Sequence, residues 1–194
     1  LAALLALPPA VAAEEPAGPA HCAGYETADL EALDLAAQVA WLTTELEQCT
    51  LTARSRAISL NNRGVAHREL GLAEQAAADF TRALEADPAY DRALLNRADL
   101  YIELGRFEAA VGDLTRAIEL DPEAALAFYL RGLAHCALRQ VEEGVGDLLA
   151  SIALQPDWAR EWQSYLAAEG HYEGAVDGRF GPASEAALRA WCAG

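Results

Sequence analysis

The sequence has no methionine, few aromatic residues (7%) and few basic ones, 14 Lys and Arg against 30 Asp and Glu. The resulting net charge of −16 argues against nucleic acid or an anionic membrane surface as a partner; it reads as a solvated acidic exterior. No apolar run is long enough to span a membrane. Metal-ligand spacing of His and Cys is missing, and so is a Gly-rich phosphate loop. Carboxylates are plentiful, but none is marked out as a paired acid and base. His21-Cys22 and His135-Cys136 are sequence neighbours, which point different ways on a helix and do not make a Cys–His nucleophile. No enzyme activity, cofactor or metal is therefore expected.

What is abundant is Ala, Leu and a period. Apolar residues make up 53% of the 194 positions, enough for a packed helical core. Pro88, Pro122 and Pro156 stand 34 residues apart. Asn62-Arg63-Gly64, Asn96-Arg97-Ala98 and Leu130-Arg131-Gly132 keep the same interval, as do Ala76, Ala110 and Gly144, and Phe80, Leu114 and Leu148. Leu60, Gly64 and His67 fall on one helical face, and Ala76, Phe80 and Ala83 form the facing stripe. Gly71 and Gly105 end first helices, and Asp87-Pro88 and Asp121-Pro122 end second ones, because a residue before Pro resists the α conformation. The third unit departs at Arg139, Gly144 and Ser151. Such a period means stacked helical hairpins, and the pattern resembles the tetratricopeptide repeat. The expected fold is all-α, a solenoid of three repeats with an N-terminal capping helix and a C-terminal helix-loop-helix. Hairpins of this kind bury their apolar faces only against neighbours, so end caps are required.

Four segments are expected. Residues 1–13 read as the remnant of a signal peptide: Leu1 to Ala13 is apolar and uncharged, broken by Pro8 and Pro9, and ends in Val11-Ala12-Ala13. This places the mature protein in a periplasm, and His21 stands where a lipid anchor at Cys22 would need a small residue. Residues 14–56 read as a linker and cap helix, with Leu30, Leu33, Ala37, Trp41, Leu42 and Leu46 at helical spacing. Residues 57–158 are the repeats, and 159–194 the C-terminal element. Four cysteines in an exported chain suggest disulfides. Cys22 and Cys49 flank the cap segment and are the first candidate pair; Cys136 and Cys192 are a second pair or buried thiols.

The last segment changes character: Trp162-Gln163, Leu166, Gly170, then Val176-Asp177-Gly178, Phe180-Gly181-Pro182, Ser184, Ala187-Leu188 and Trp191. It resembles the peptidoglycan-binding domain of cell-wall hydrolases, truncated before that family's third helix. The resemblance implies wall glycan or peptide binding, with Tyr172, Asp177, Arg179 and Phe180 as candidates. The residues also read without it: Gly170 ends a helix, Asp177-Gly178 suits a turn with φ > 0, and Pro182 starts a helix. The alternative is that the segment is only a cap.

The repeat resemblance implies a concave groove for a protein or peptide. Its candidate lining is Asn61, Asn62, Val65 and Glu69, then Arg92, Asn96, Asp99 and Glu103, then Leu126, Tyr129, Leu130 and Leu133. The apolar end is filled either by a partner or by the C-terminal segment. Relatives that hold a terminal carboxylate do so with Lys, Arg and Asn. Here only Asn96 fits, and Leu126 and Leu130 stand where basic groups are needed, so a chaperone-tail receptor is not expected. Arg63, Arg97 and Arg131 recur in phase, which points to a structural role. The expected function is a non-catalytic adaptor near the cell wall; the alternatives are an accessory subunit of a wall hydrolase and a plain scaffold.

Overall fold

A computed structural model describes residues 33–194. The signal-peptide remnant, the linker and Cys22 lie outside the described residues. Among those described there is no strand, and no helix is long and apolar enough to cross a membrane. They fall into two compact units, one ending at Leu100 and the other beginning at Tyr101.

The first unit contains α1 (Leu35–Gln48), α2 (Ala53–Glu69), α3 (Ala73–Ala86) and most of α4 (Asp91–Glu103). Short polar side chains start the first two helices. Asp34 accepts from the Ala37 N–H at 2.8 Å, and Thr52 accepts from the Ser55 N–H at 3.1 Å. Helix α3 stops at Asp87, which the following Pro88 holds extended at φ −135° and ψ 96°. Asp121 before Pro122 adopts nearly the same geometry, φ −136° and ψ 97°. The chain turns between paired helices at Gly71 (φ 75°), Gly105 (φ 69°) and Arg139 (φ 61°). Glycine takes that conformation freely and Arg139 does not, so the third turn carries strain.

Helices α2 and α3 pack at the closest distance the sequence permits. A Cβ on Gly64 would lie 2.6 Å from Cε1 of Phe80, whose ring is fully buried. A guanidinium locks the same pair. Arg63 grips Asp79 through Nε at 2.9 Å and Nη2 at 2.6 Å, and reaches back to Thr43 of α1 at 3.0 Å. His67 Nδ1 adds a contact of 2.9 Å to the same carboxylate. Thr43 thus gives α1 the place of a preceding second helix, which makes it the cap the stack needs. Helix α1 begins at Leu35 because Asp34 caps it, so Leu33, expected within the cap helix, lies before it; the expected cap before Leu33 is outside the described residues.

The second unit contains α5 (Phe107–Leu120), α6 (Ala125–Ala137), α7 (Val141–Leu154), α8 (Trp158–Ala168) and α9 (Pro182–Ala193). Here Arg131 repeats the device. It binds Asp147 at 2.7 and 2.8 Å and Thr115 of α5 at 3.2 Å. Its pKa is held above the ordinary value by the Asp147 hydrogen bonds. In the first unit Arg97 donates to Thr81 at 2.9 Å. The in-phase arginines are therefore staples between successive helices, and the structural reading of them is correct.

Candidate functional site

Seven of the expected groove residues lie in the first unit. Asn61 and Asn62 of α2 and Asn96 of α4 are buried. They form a short amide ladder: Asn96 Nδ2 donates to Asn61 Oδ1 at 2.8 Å, and Asn61 Nδ2 to Asn62 Oδ1 at 3.4 Å. Val65 is buried beside them, Arg92 and Asp99 are half-buried, and Glu69 is exposed. Arg68, which the groove reading omitted, binds Asp99 at 2.6 Å. These residues therefore tie α2 to α4 through polar contacts that are already satisfied, as buried polar groups must be.

Tyr129 and Leu133 lie in the second unit, on α6, and pack against its C-terminal core. Tyr129 meets Trp158 edge-on with ring centres 5.4 Å apart, and tilts against Trp162 at 6.1 Å. Trp162, Tyr165 and Trp191 complete the cluster at 5.3 to 5.8 Å, a spacing suited to edge-to-face rings. Trp191 Nε1 donates to the Tyr165 hydroxyl at 3.1 Å, and burial pushes the pKa of that hydroxyl up. Of the two occupants open for the apolar end, the C-terminal segment packs against it.

Helix α9 is held to the third hairpin covalently as well. Cys136 and Cys192 form a disulfide with Cα atoms 4.9 Å apart. Arg139 Nη1 donates to the Ala193 carbonyl at 2.5 Å, and Arg189 pairs with Glu142. Arg139 thus gains a contact from its strained turn that glycine would lack. Cys49 is buried and disulfide-bonded; its expected partner, Cys22, lies outside the described residues.

The loop between α8 and α9 is organised by one side chain. Gln163 is fully buried. Its Nε2 donates to the Arg179 carbonyl at 2.9 Å, to Ser184 Oγ at 3.1 Å and to Asp177 Oδ1 at 3.3 Å, and its Oε1 accepts from the Gly178 N–H at 2.8 Å. Asp177 also accepts from the Arg179 N–H at 2.8 Å, and that bond, ahead of the one from Gln163, lowers its pKa. Gly170 and Gly178 have φ of 77° and 79°, and α9 starts at Pro182, as the sequence implies. Tyr172 and Phe180 are half-buried against the core, whereas Asp177, Arg179 and Val176 are exposed. In the sequence Gln163 stands out only as part of the Trp162-Gln163 pattern, which does not assign it this role. A glutamine next to Trp162 on a helix's apolar side was the available signal.

Residues 46–91 and 61–114 match the family model described as tetratricopeptide repeat, and residues 98–138 match one described as TPR repeat. No curated protein matches the chain. Among solved structures, the second TPR of Spaghetti (RPAP3) bound to the HSP90 peptide SRMEEVD is 33% identical. That match covers 53% of this chain and 94% of that one, with a TM-score of 0.51. The second TPR domain of human RPAP3, in complex with the HSP70 peptide SGPTIEEVD, is 34% identical over 54% of this chain and 87% of that one, with a TM-score of 0.52. MamA from Desulfovibrio magneticus RS-1 shares the fold at 20% identity, 70% and 75% coverage and a TM-score of 0.61.

Proposed function

Because this chain belongs to the tetratricopeptide repeat family, we propose that it is a non-catalytic adaptor that binds a protein or peptide partner. The observation that supports this most is the 33% and 34% identity to domains whose structures contain a bound peptide. The partner differs in charge from those acidic peptides. A net charge of −16 repels an acidic tail, and Leu126 and Leu130 stand where the carboxylate-holding pattern needs cations. The contact face in the first unit is the α2–α4 side. Glu69, Arg92 and Asp99 are its accessible side chains, over the buried Asn61–Asn96 bond. Selection of a displayed peptide library on the full chain tests this. Neutral or basic peptides should emerge, SRMEEVD should not bind, and Arg92→Glu should weaken binding. Enrichment of no sequence would end the proposal.

The protein is exported, on this reading, to a periplasm. The Leu1–Ala13 pattern supports that, and so does a disulfide between Cys136 and Cys192, since such bonds persist in oxidising compartments. Cell fractionation of the full-length precursor tests it; recovery of the protein with reduced cysteines in the cytosol would refute it.

A second reading makes the C-terminal loop a wall tether. The Gln163 network supports it by presenting Val176, Asp177 and Arg179 on an ordered, exposed loop. Co-sedimentation with purified peptidoglycan, compared with Arg179→Ala and Val176→Asp, decides between a tether and a cap. Point changes are needed because α9 supplies Leu188 and Cys192 to the core, so its deletion would disrupt the unit.

A further inference from the structure

The first unit holds a half-open cleft of about 410 Å³ that neither reading uses; Glu47, Arg82 and Glu85 on its rim are exposed. It lies where the last turns of α1 and α3 meet α2. Leu46 and Leu60 line it with apolar surface, and Arg56, Arg82, Glu47 and Glu85 with charge. The volume falls within the range of small-molecule sites, roughly 300–1,000 Å³.

The lining of this space does not recur in the third hairpin. Arg56 stands one repeat interval before Tyr90, which is fully buried. In the third hairpin the residues in phase with Arg56, Leu60 and Arg82 are Ala124, Phe128 and Ala150. Phe128 puts a ring there, 5.6 Å from the Arg131 guanidinium. The first hairpin thus has guanidinium groups in two places where the third has only methyl groups.

These charges are not spent on one another. Among the described residues the side chains of Arg82, Glu47 and Glu85 enter no hydrogen bond or ion pair. Arg56 makes one long bond, 3.4 Å to the Leu46 carbonyl. Arg63 also lines the space, but Asp79 and Thr43 hold it. The field is bipolar. The C-terminal ends of α1 and α3 add negative potential to Glu47 and Glu85, and the start of α2 adds positive potential to Arg56. A simple anion would meet two carboxylates, and a simple cation two guanidiniums. The geometry points to a site for a zwitterion with a free α-ammonium and a free carboxylate, an amino acid or a short unblocked peptide. This site does not depend on the adaptor reading.

The test is a titration of the full chain with alanylalanine, followed by the amide resonances of Glu47, Arg56, Arg82 and Glu85. Saturable shifts confined to that set are expected. N-acetyl-alanylalanine and alanylalanine amide should each bind roughly tenfold more weakly, the loss of one charge-assisted contact. Arg82→Ala and Glu85→Gln, both at exposed positions, should cost about the same. Parallel titrations with alanine and trialanine show whether a free amino acid or a peptide fits better. Absence of saturable shifts with all three at about 10 mM overturns the proposal, as does equal binding of the blocked peptides or full binding by Arg82→Ala.

Discussion

Replacing Gly144 by alanine tests how the third hairpin accommodates its disulfide. The in-phase residues Ala76 and Ala110 show that the repeat accepts a methyl group there. At Gly144 a Cβ would lie 2.6 Å from Cys136 Sγ, 3.1 Å from Cys192 Sγ and 3.0 Å from the Cys136 backbone nitrogen. The two sulfurs occupy the space that the other repeats give to a methyl group. Overpacking of this size costs about 1–3 kcal/mol, against which alanine gains about 1 kcal/mol of helix propensity over glycine. In the oxidised protein Gly144→Ala should therefore be neutral to about 2 kcal/mol destabilising. In a Cys136→Ala, Cys192→Ala background the sulfurs are gone, and α6 can shift by the few tenths of an ångström that relieve the backbone contact. There the same change should stabilise by up to about 1 kcal/mol. The double substitution itself should cost about 4 kcal/mol, because the bridge closes a loop with a sequence separation of 56. Urea unfolding of the four proteins gives the coupling. Equal effects of Gly144→Ala in both backgrounds would refute the claim that the glycine makes room for the bridge.

Asp79→Ala strands both Arg63 and His67 and should cost about 3 kcal/mol by thermal or urea unfolding, far more than Ala at exposed Asp157. Gln163→Leu removes the acceptor of the Gly178 N–H and should cost about 2 kcal/mol. Faster amide exchange should appear at Gly178, with the Cys136–Cys192 bridge intact. Asp87 has its pKa lowered below the ordinary 3.8, first by the hydrogen bond from Arg54, which is 2.8 Å away. A depressed carboxylate contributes stability that is present above its unfolded pKa and lost as the pH falls through the folded one. Acid should therefore weaken the first unit below about pH 4, and Arg54→Ala should raise the Asp87 titration measured by NMR and blunt that loss.

The period of 34 residues made the hairpins legible, because proline, glycine and small residues act on the backbone locally. Asp87 and Asp121 share one cap geometry for the reason readable in Asp-Pro, and Gly71 and Gly105 share one turn. The arginine phase likewise announced a repeated structural part. The groove reading was coarser: it chose residues by their place on a helix face, and that place does not say whether the face is open. Asn61 and Asn96 are polar, yet Asn96 donates to Asn61 across two helices and both are buried.

The sequence by itself thus determined which segments are helices, where each ends and which faces seek apolar contact. Those are consequences of residue type and spacing along one chain. Only the tertiary structure decided that Cys136 pairs with Cys192, that Gln163 anchors a loop some 15 residues further on, and that Arg56 borders a cleft rather than a packed ring. Each of these depends on which distant groups arrive at the same point in space, and that is set by how helices pack, not by the residues beside them in the chain.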